Sequence, residues 1–240
     1  MKKFVGMFLI LLFVFPSIVL ASDTILVNKE VTDIGGNAKS AILIEATTGK
    51  IIFEKNSHEK LAPASMTKIM SMLIIIEAIE DENLSWNDVI TVSERASSMG
   101  GSQILLETGE QMTVYDMFKG IAVASGNDAV VAMAEKVSGS VSSFVDAMNK
   151  KASELGLKNT HFDNPHGLDS DTHYTTAKDM SMMAQELLKY EKILEYTSIY
   201  EDYLKKNDGS SIWLVNTNKL VRFYEGVDGL KTGYTAKAGY

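Results

Sequence analysis

The amino-acid sequence predicts an α/β (α+β) domain in which helices flank an antiparallel sheet. Short β-type runs stand near the start and near the end of the chain, and a long helical stretch separates them, an order typical of domains that pack helices on such a sheet. The composition is globular, since 45% of the 240 residues are hydrophobic and 22% are charged. Because no repeat or linker divides the sequence, we expect a single domain over residues 38–240.

The first 21 residues carry a targeting pattern rather than part of the fold. Two lysines open the chain, a short apolar run follows, and small residues close the segment at Ala21 and Ser22. This pattern predicts a secretory signal peptide over residues 1–21, followed by an irregular lead-in over residues 22–37. An uncleaved membrane anchor is the alternative, although a span needs about 20 apolar residues and this run is short. Either alternative exports the rest of the chain to the outer face of the cytoplasmic membrane, the cell wall or the periplasm.

The first folded elements are a hairpin and a long helix. Two β-type runs, SAILIEA and IIFE, flank the turn at residues 47–50, which predicts a hairpin. From Ser65 the sequence SMTKIMSMLIIIEAIE has helical length, contains no Gly or Pro, and is apolar on nearly every face. Since a helix that is apolar all round must be covered on every side, we expect this helix in the middle of the domain.

Helical patterns dominate the middle of the chain, and β-type runs return near its end. The helical patterns cover residues 113–124, 127–137, 142–155, 176–190 and 191–199. The segments at residues 95–112 and 157–174 are rich in glycine or polar residues and are expected to be loops. Strands are predicted at residues 212–215 and 226–232. Residues 234–240 have the pattern of a turn into a further strand, so we expect the domain to be truncated at its C-terminal end.

Charge and cysteine content exclude several function classes. The formal net charge is -8, with 23 Lys and Arg against 31 Asp and Glu, which argues against a surface that binds nucleic acid. The chain has no cysteine, which excludes disulfides, cysteine nucleophiles, thiolate metal sites and a lipidated cysteine.

The first chemical motif is an S-x-x-K sequence at the predicted start of the long helix. Ser65 and Lys68 share one helix face, and a helix N-terminus favours developing negative charge. A serine hydroxyl is a weak nucleophile until a base takes its proton, and a lysine can be that base only if burial or a nearby cation lowers its pKa. We expect the apolar helix and a second lysine to do both. Residues 57–60 form a second copy in a polar loop, and for either copy a capping serine beside a solvated lysine is the alternative.

The second motif, Ser125-Gly126-Asn127, falls at the break between two helical patterns. Its serine can relay a proton between Lys68 and a leaving group, and its amide side chain can hold a substrate carbonyl and steady the lysine. An ordinary turn between helices is the alternative, because serine, glycine and asparagine are common turn residues.

The third motif, Lys231-Thr232-Gly233, is expected on the edge of the late strand. A cation beside a hydroxyl can bind a carboxylate, and the glycine lets a substrate backbone lie close to the strand. The amide of Tyr234 can then donate to an oxyanion, opposite the amide of Ser65.

The order and spacing of the three motifs carry more weight than any one of them. Ser125 follows Ser65 by 60 residues, and Lys231 follows Ser125 by 106 residues. S-x-x-K at a helix start, S-x-N between helices and K-T-G on a late strand form a recognised set. On these residues the chain resembles the penicillin-recognising serine enzymes, the serine β-lactamase/transpeptidase-like superfamily, over residues 38–240.

Longer stretches narrow the resemblance to the D-alanyl-D-alanine carboxypeptidases, the low-molecular-weight penicillin-binding proteins. These stretches are SAILIEATTGKIIFEKN, PASMTKIM, SSMGGSQILLETGE, IAVASGNDA and FDNPHGLDSDTHYTTAKDM. The resemblance implies an acyl-enzyme mechanism in which Ser65 is the nucleophile, Lys68 is the base and Ser125 assists proton transfer. It also implies a set of substrate-binding residues, namely Asn127, Lys231, Thr232, Gly233, Tyr234 and His166. Among these, His166 is expected to orient the water that hydrolyses the acyl-enzyme.

The same resemblance implies the partners. The substrate is expected to be a peptidoglycan pentapeptide ending in D-Ala-D-Ala, whose terminal carboxylate binds to Lys231 and Thr232, and β-lactams are expected to inhibit by acylation. No cofactor, metal or nucleic acid is expected. Many members of the family attach to the membrane surface through a C-terminal segment that these 240 residues do not contain, so membrane attachment follows from the resemblance alone.

Three other functions stay open from the sequence. A class A β-lactamase has S-D-N in the second motif and a loop glutamate that activates water, whereas this chain has S-G-N and no glutamate between Gly156 and Asp179. A non-catalytic exported binding domain would keep the pocket without the reaction. A zinc site is the third alternative, although the spacing of its candidate ligands matches no known pattern. These candidates are His161, His166, His173, Asp163, Asp169 and Asp171.

Overall fold

Antiparallel hairpins and helices alternate through residues 34–239, which are the residues that the structure, a computed structural model, describes. The signal peptide predicted over residues 1–21 and most of the lead-in predicted over residues 22–37 lie outside the described residues. The predicted α/β class is confirmed, since helices accompany antiparallel strands through the described part of the chain. Within that part, no helix combines the length and the apolar character that crossing a bilayer requires.

The predicted N-terminal hairpin is confirmed. Strand β1 (Ala41–Ile44) pairs antiparallel with strand β2 (Ile51–Lys55). In the turn between them, the carboxylate of Glu45 accepts hydrogen bonds from the backbone amides of Thr47 and Thr48 at 2.9 and 2.7 Å. These charge-assisted bonds give partners to amides that the tight turn leaves outside the strand pairing, so the carboxylate stabilises the hairpin.

The long apolar pattern forms the buried centre of the domain. A 3-10 turn, Ala64–Thr67, leads into helix α1 (Lys68–Glu80). Every residue from Lys68 to Ile76 is buried, as expected for a helix that is apolar on nearly every face. The α-helix itself begins at Lys68, and Ser65 lies on the 3-10 turn that precedes it.

The helical patterns of the middle of the chain are confirmed, and two further short helices, α2 and α8, are missing from the prediction. The helices after α1 are α2 (Glu94–Ser97), α3 (Val114–Ala124), α4 (Asn127–Ser138), α5 (Val141–Glu154), α6 (Ala177–Leu188), α7 (Lys192–Thr197) and α8 (Leu220–Phe223). Thr113, Ser140 and Thr176 cap α3, α5 and α6, and each accepts a hydrogen bond from the backbone amide three residues further on. Because replacing such a cap with alanine costs about 1 kcal/mol, these side chains define where the helices begin.

The strands beyond the first hairpin differ from the prediction. Residues 95–112, expected to be a loop, run into strand β4 (Gln111–Thr113), which pairs with β3 (Val89–Thr91). Strand β6 (Ser211–Val215) is confirmed, but its partner β5 (Glu201–Lys205) is missing from the prediction. Strands this short, with polar residues among the apolar ones, leave too little alternation to be recognised in a sequence.

The strand predicted at residues 226–232 is wrong. Two glycines interrupt the extended backbone there, since Gly226 and Gly229 have φ values of +87° and +139°. Side chains bind carbonyl groups that a neighbouring strand would use, because Thr197 and Asn218 donate to two of them at 2.7 and 2.9 Å. The described residues therefore form three two-stranded sheets rather than one continuous sheet.

The packing of α1 determines where the site lies. Helix α1 contacts α3, α4, α5 and α6, and its buried side chains lie in the hydrophobic core. Because neighbours surround the helix, its first turn is firmly held in place. The start of α4 and the loop of residues 157–174 both reach this turn.

Candidate active site

The turn that carries Ser65 and Lys68 has a strained backbone. Ala64, which precedes the serine, is buried and has a left-handed φ of +48°, a conformation that costs a non-glycine residue about 1–2 kcal/mol. Ser65 Oγ lies 3.1 Å from Lys68 Nζ. The hydroxyl and the amine are thus in direct contact, as expected for side chains one helical turn apart.

The amine of Lys68 is fully buried and has three oxygen partners. Nζ lies 2.7 Å from Asn127 Oδ1, 2.9 Å from the carbonyl oxygen of His166 and 3.1 Å from Ser65 Oγ. The first two oxygens only accept hydrogen bonds, so each of them keeps one N–H group of Lys68 as its donor, whether the amine is charged or neutral. Since an amine nitrogen is tetrahedral, the lone pair of a neutral Lys68 points at the hydroxyl of Ser65. The geometry therefore prepares the lysine to take a proton from the serine.

The pKa of Lys68 favours the same role. Burial lowers this pKa well below its usual range, because the charged amine loses its hydration. The cation of Lys231 lowers it further, and the carboxylate of Asp128 opposes the shift. Burial and a second lysine, the two causes expected from the sequence, therefore both act. The neutral amine that a general base requires is accessible at a lower pH than for a lysine in water.

The S-G-N motif lies at the break between α3 and α4. Ser125 ends α3 with a left-handed φ of +64°, and its buried Oγ has no hydrogen-bond partner among the residues that the structure describes. A buried hydroxyl without a partner is rare in proteins. Because the hydroxyl of Ser125 has none among these residues, it is available for proton transfer or for a ligand. Asn127 Nδ2 donates to the carbonyl of Gly100 at 2.7 Å, which assigns the amide orientation and turns Oδ1 toward Lys68.

The K-T-G motif reaches the turn Ala64–Thr67 on an irregular segment and not on the expected strand. Gly233 lies so close that a β-carbon there would stand 2.9 Å from the carbonyl oxygen of Pro63 and 3.1 Å from the amide nitrogen of Met66. Lys231 Nζ donates to the carbonyl of Thr232 at 3.0 Å. Burial lowers the pKa of Lys231 to about 8. Because no carboxylate within residues 34–239 forms an ion pair with Lys231, this cation is available to an anionic ligand.

Thr232 and Tyr234 complete the part of the site that the third motif forms. Thr232 Oγ1 lies 2.7 Å from Thr217 Oγ1, and a hydroxyl proton can rotate toward a ligand. The side chain of Tyr234 is exposed. The structure therefore brings the third motif beside the turn Ala64–Thr67, with the side chain of Tyr234 open to solvent.

The loop of residues 157–174 crosses the first turn of α1. Ser71 Oγ donates to a carbonyl of this loop at 2.6 Å, and Lys68 donates to the carbonyl of His166. The imidazole of His166 accepts from the amide of Leu168 through Nδ1 at 3.2 Å, so Nε2 carries the proton. Burial lowers the pKa of His166 to about 3, and the charge of Lys68 adds to the shift. The neutral imidazole can therefore donate one hydrogen bond, from Nε2, to a water or a substrate.

The other histidines of this loop make hydrogen bonds within the protein. His161 Nδ1 lies 2.9 Å from the carbonyl oxygen of Thr172, and His173 Nε2 lies 2.8 Å from Thr67 Oγ1. Across the described range, no cluster of three or more His, Asp or Glu side chains is arranged to hold a metal ion. The structure gives the zinc alternative no support.

Asp128 is a site residue that the motifs alone do not reveal. Its buried carboxylate accepts hydrogen bonds from the backbone amides of Ile104 and Leu106, each at 3.1 Å. The neighbouring amide of Asn127 donates to the carbonyl of Ser102 at 2.7 Å. These bonds tie one loop to the start of α4 beside Lys68. An aspartate inside an otherwise apolar helical pattern is the sequence signal that points to such a buried anchor.

Comparison with known proteins places this arrangement in a family. A family model described as D-alanyl-D-alanine carboxypeptidase matches residues 27–240, a range that includes all three motifs. The chain belongs to the D-alanyl-D-alanine carboxypeptidase family. The resemblance that the motifs and their spacing indicated is thus confirmed.

Individual proteins with similar sequences or structures support the same family assignment. The D-alanyl-D-alanine carboxypeptidase DacF of Bacillus subtilis is 60% identical over 212 residues, which are 88% of this chain and 54% of DacF. The crystal structure of the D-alanyl-D-alanine carboxypeptidase DacD from Francisella tularensis has a TM-score of 0.80 at 30% identity and covers 85% of this chain and 61% of DacD. A Streptomyces K15 DD-transpeptidase mutant has a TM-score of 0.79 at 28% identity, over 84% of this chain and 82% of that one.

These likenesses confirm the predicted fold class and also show how much of each relative the chain spans. The superfamily fold expected from the three motifs is the fold of both solved structures. This carboxypeptidase-family chain spans about half the length of the curated relatives it matches.

Proposed function

We propose that this chain holds the catalytic site of a serine-type D-Ala-D-Ala carboxypeptidase, which removes the terminal D-alanine from peptidoglycan stem peptides. The observation that carries the proposal is the 3.1 Å contact between Ser65 Oγ and the buried amine of Lys68. A hydroxyl paired with an amine of lowered pKa is the arrangement that nucleophilic catalysis by serine requires. The relatives supply the substrate class, because DacF and DacD are named D-alanyl-D-alanine carboxypeptidases.

Acylation begins with a proton transfer. Neutral Lys68 takes the hydroxyl proton of Ser65 while Oγ attacks the carbonyl carbon between the two D-alanines. The intermediate collapses to an ester on Ser65 as the C–N bond breaks. The buried hydroxyl of Ser125 passes the proton from Lys68 to the leaving nitrogen, so D-alanine departs as an amine. The backbone amides of Ser65 and Tyr234 bind the oxyanion of the intermediate.

Substrate recognition uses the remaining residues of the second and third motifs. The ammonium group of Lys231 and the hydroxyl of Thr232 bind the terminal carboxylate of the peptide. Gly233 carries no side chain, so the substrate backbone can approach the turn Ala64–Thr67. The amide of Asn127 holds a substrate carbonyl and steadies Lys68.

Hydrolysis of the ester completes the reaction. Water attacks the ester carbonyl, Ser65 regains its proton, and the shortened peptide leaves as a carboxylic acid. His166 orients this water through the hydrogen bond that its neutral Nε2–H can donate. A β-lactam places its carboxylate on Lys231 and its ring amide at Ser65, so it acylates the same hydroxyl. Because the amide that breaks is part of a ring, acylation opens the ring and the leaving amine stays attached to the acyl group, so the adduct persists.

We infer that the protein works outside the cytoplasm. The pattern of residues 1–21 supports export, and so does a substrate class that belongs to the cell wall. Attachment to the membrane surface through a C-terminal segment is part of the same proposal and rests on the family resemblance.

The proposed function is tested by the intact mass of the full-length protein over time with benzylpenicillin, combined with release of D-alanine from a peptide ending in D-Ala-D-Ala. We expect a long-lived adduct on the tryptic peptide that contains Ser65, and release of D-alanine. Rapid hydrolysis of benzylpenicillin without a lasting adduct would identify a β-lactamase instead. A folded protein with neither an adduct nor hydrolysis would be a binding domain.

The pH dependence gives a separate test of Lys231. We expect kcat/KM for peptides with a free C-terminal carboxylate to fall as the pH rises through about 8, the lowered pKa of Lys231. Above that pH the amine loses its charge and binds the carboxylate less well. On the acid side, kcat/KM should rise with pH as Lys68 loses its proton. Activity therefore requires a neutral Lys68 and a charged Lys231, which produces a bell-shaped profile.

Lys231→Arg is the matched variant for this pH profile. Arginine keeps its charge at every accessible pH, so the alkaline limb should disappear while the acid limb stays in place. Lys231→Ala should raise KM for carboxylate peptides about 10- to 100-fold, the loss expected for a charge-assisted hydrogen bond. An alkaline limb that persists in Lys231→Arg would contradict the assignment.

A further inference from the structure

A buried imidazole outside the three motifs contacts the turn Ala64–Thr67. His173 is 3% exposed, and its Nε2 lies 2.8 Å from Thr67 Oγ1. Its Nδ1 accepts a hydrogen bond from the amide nitrogen of Asp163 at 3.0 Å. Thr67 is fully buried and stands between the proposed nucleophile, Ser65, and the proposed base, Lys68.

The hydrogen bonds define the protonation state of His173. A backbone amide can only donate, so Nδ1 carries no proton, and a neutral imidazole then carries its proton on Nε2. Nε2–H therefore donates to Thr67 Oγ1. Burial lowers the pKa of His173 to about 4; the carboxylates of Asp163 and Asp169 oppose the shift and His161 adds to it. The ring is thus neutral at physiological pH and holds one orientation.

The far side of His173 is anchored to the fold. The next residue but one, Thr175, exchanges two backbone hydrogen bonds with Leu61, at 2.8 and 3.0 Å. The ring of Phe162 packs edge-on against the imidazole, with centroids 5.7 Å apart. His173 is therefore a rigid connection between this paired segment and the turn Ala64–Thr67.

Thr67 uses its hydroxyl in an unusual way. It occupies the N-cap position of α1, where threonine commonly accepts a hydrogen bond from an amide of the first helical turn, yet its side chain makes no such bond. The hydroxyl faces His173 instead. The turn it belongs to contains the left-handed Ala64, at φ of +48°, and a strained turn persists only where its surroundings hold it.

We propose that His173 is a positioning residue for the nucleophile. Its hydrogen bond to Thr67 holds the turn Ala64–Thr67 in the conformation that places Ser65 Oγ against Lys68 Nζ. The proposal rests on the proposed function, since it assumes that acylation occurs on Ser65. His173 itself does not touch the substrate and acts through Thr67.

The test uses a double-mutant cycle in the full-length protein. Thr67→Val keeps the shape of the side chain and removes the hydroxyl, and His173→Phe keeps a ring and removes the donor. The acylation rate with benzylpenicillin, KM and kcat for a D-Ala-D-Ala peptide and the thermal midpoint are measured for both single variants and the double variant. We expect each single variant to acylate about 10- to 100-fold more slowly, the loss that a displacement near 1 Å causes, with KM nearly unchanged. The double variant should be no slower than the slower single variant.

His173→Gln provides the rescue. Its amide offers an acceptor oxygen and a donor NH2 group, so it can replace both hydrogen bonds of the imidazole. The acylation rate of His173→Gln should stay within about threefold of wild type if the bond to Thr67 is what matters. Thr67→Val keeps the test valid if His173→Phe does not fold, because valine suits a buried site.

Several results would overturn the inference. Variants that lose thermal stability but acylate at the wild-type rate below their midpoint would show a purely structural role. Losses that multiply in the double variant would show that the two residues act separately. A His173→Gln variant as slow as His173→Phe would show that the hydrogen bond is not the cause. If wild type itself forms no adduct, the proposed function fails and this inference fails with it, whereas a reactive wild type with unchanged variants overturns the positioning role alone.

Discussion

Ser65→Ala is expected to abolish acylation by benzylpenicillin, with a fall in rate of at least about 10⁴-fold, as the loss of a nucleophile causes in serine enzymes. The hydroxyl of Ser65 is the group aimed at the lone pair of Lys68, 3.1 Å away, and alanine offers no atom to acylate. Stability should change by about 1 kcal/mol or less, because a single hydrogen bond of a partly exposed side chain is lost. Intact mass over time and the thermal midpoint measure the two effects.

Ser57→Ala is the matched control because Ser57 begins the second S-x-x-K copy. Ser57 Oγ donates to Glu54 Oε2 at 2.6 Å, and the amine of Lys60 lies 4.5 Å from the centre of the Tyr174 ring. The hydroxyl of Ser57 and the amine of Lys60 are therefore not partners of each other, and Ser57→Ala should acylate at the wild-type rate. An adduct that forms on Ser65→Ala as fast as on wild type would place the nucleophile elsewhere.

The contrast between the two copies shows why the contact between Ser65 and Lys68 could be predicted from the sequence. Serine and lysine three residues apart share a helix face by the geometry of the helix alone. Only the copy at Ser65 is followed by a long apolar run, and burial of that run lowers the pKa of Lys68. Local periodicity and hydrophobic context therefore predicted the contact and the direction of the pKa shift.

Contacts between distant segments lie beyond such local rules. The carbonyl of His166 binds Lys68 across 98 residues, and Thr67 meets His173 across 106 residues. Backbone groups and buried polar side chains make these contacts, and no spacing of residues in the sequence predicts them. The same limit applies to the strand predicted at residues 226–232, which the structure does not form. Val227 and Thr232 suit a strand, but side chains from elsewhere bind carbonyl groups of the segment.

Gly167→Ala is expected to lower the free energy of unfolding by about 2–5 kcal/mol and to slow acylation at the same time. Gly167 has a left-handed φ of +90°, and a β-carbon there would stand 1.8 Å from the carbonyl oxygen of Ala64 and 2.9 Å from Thr67 Oγ1. The nearest of these atoms belongs to the backbone of the turn Ala64–Thr67, so a change of side-chain rotamer cannot relieve the clash. Either the loop or the turn must move, and the carbonyl of His166 then leaves Lys68.

Gly156→Ala separates the clash from the cost of the backbone conformation. Gly156 stands at the end of α5 with a φ of +71°, and a β-carbon there would meet nothing within 4 Å. Alanine at this position should cost about 1 kcal/mol through its φ alone and leave acylation at the wild-type rate. Chemical denaturation and adduct formation, measured on both variants, give the comparison. If Gly167→Ala were no less stable and no slower than Gly156→Ala, then close packing of the loop on the turn Ala64–Thr67 would not be what holds Lys68 against Ser65.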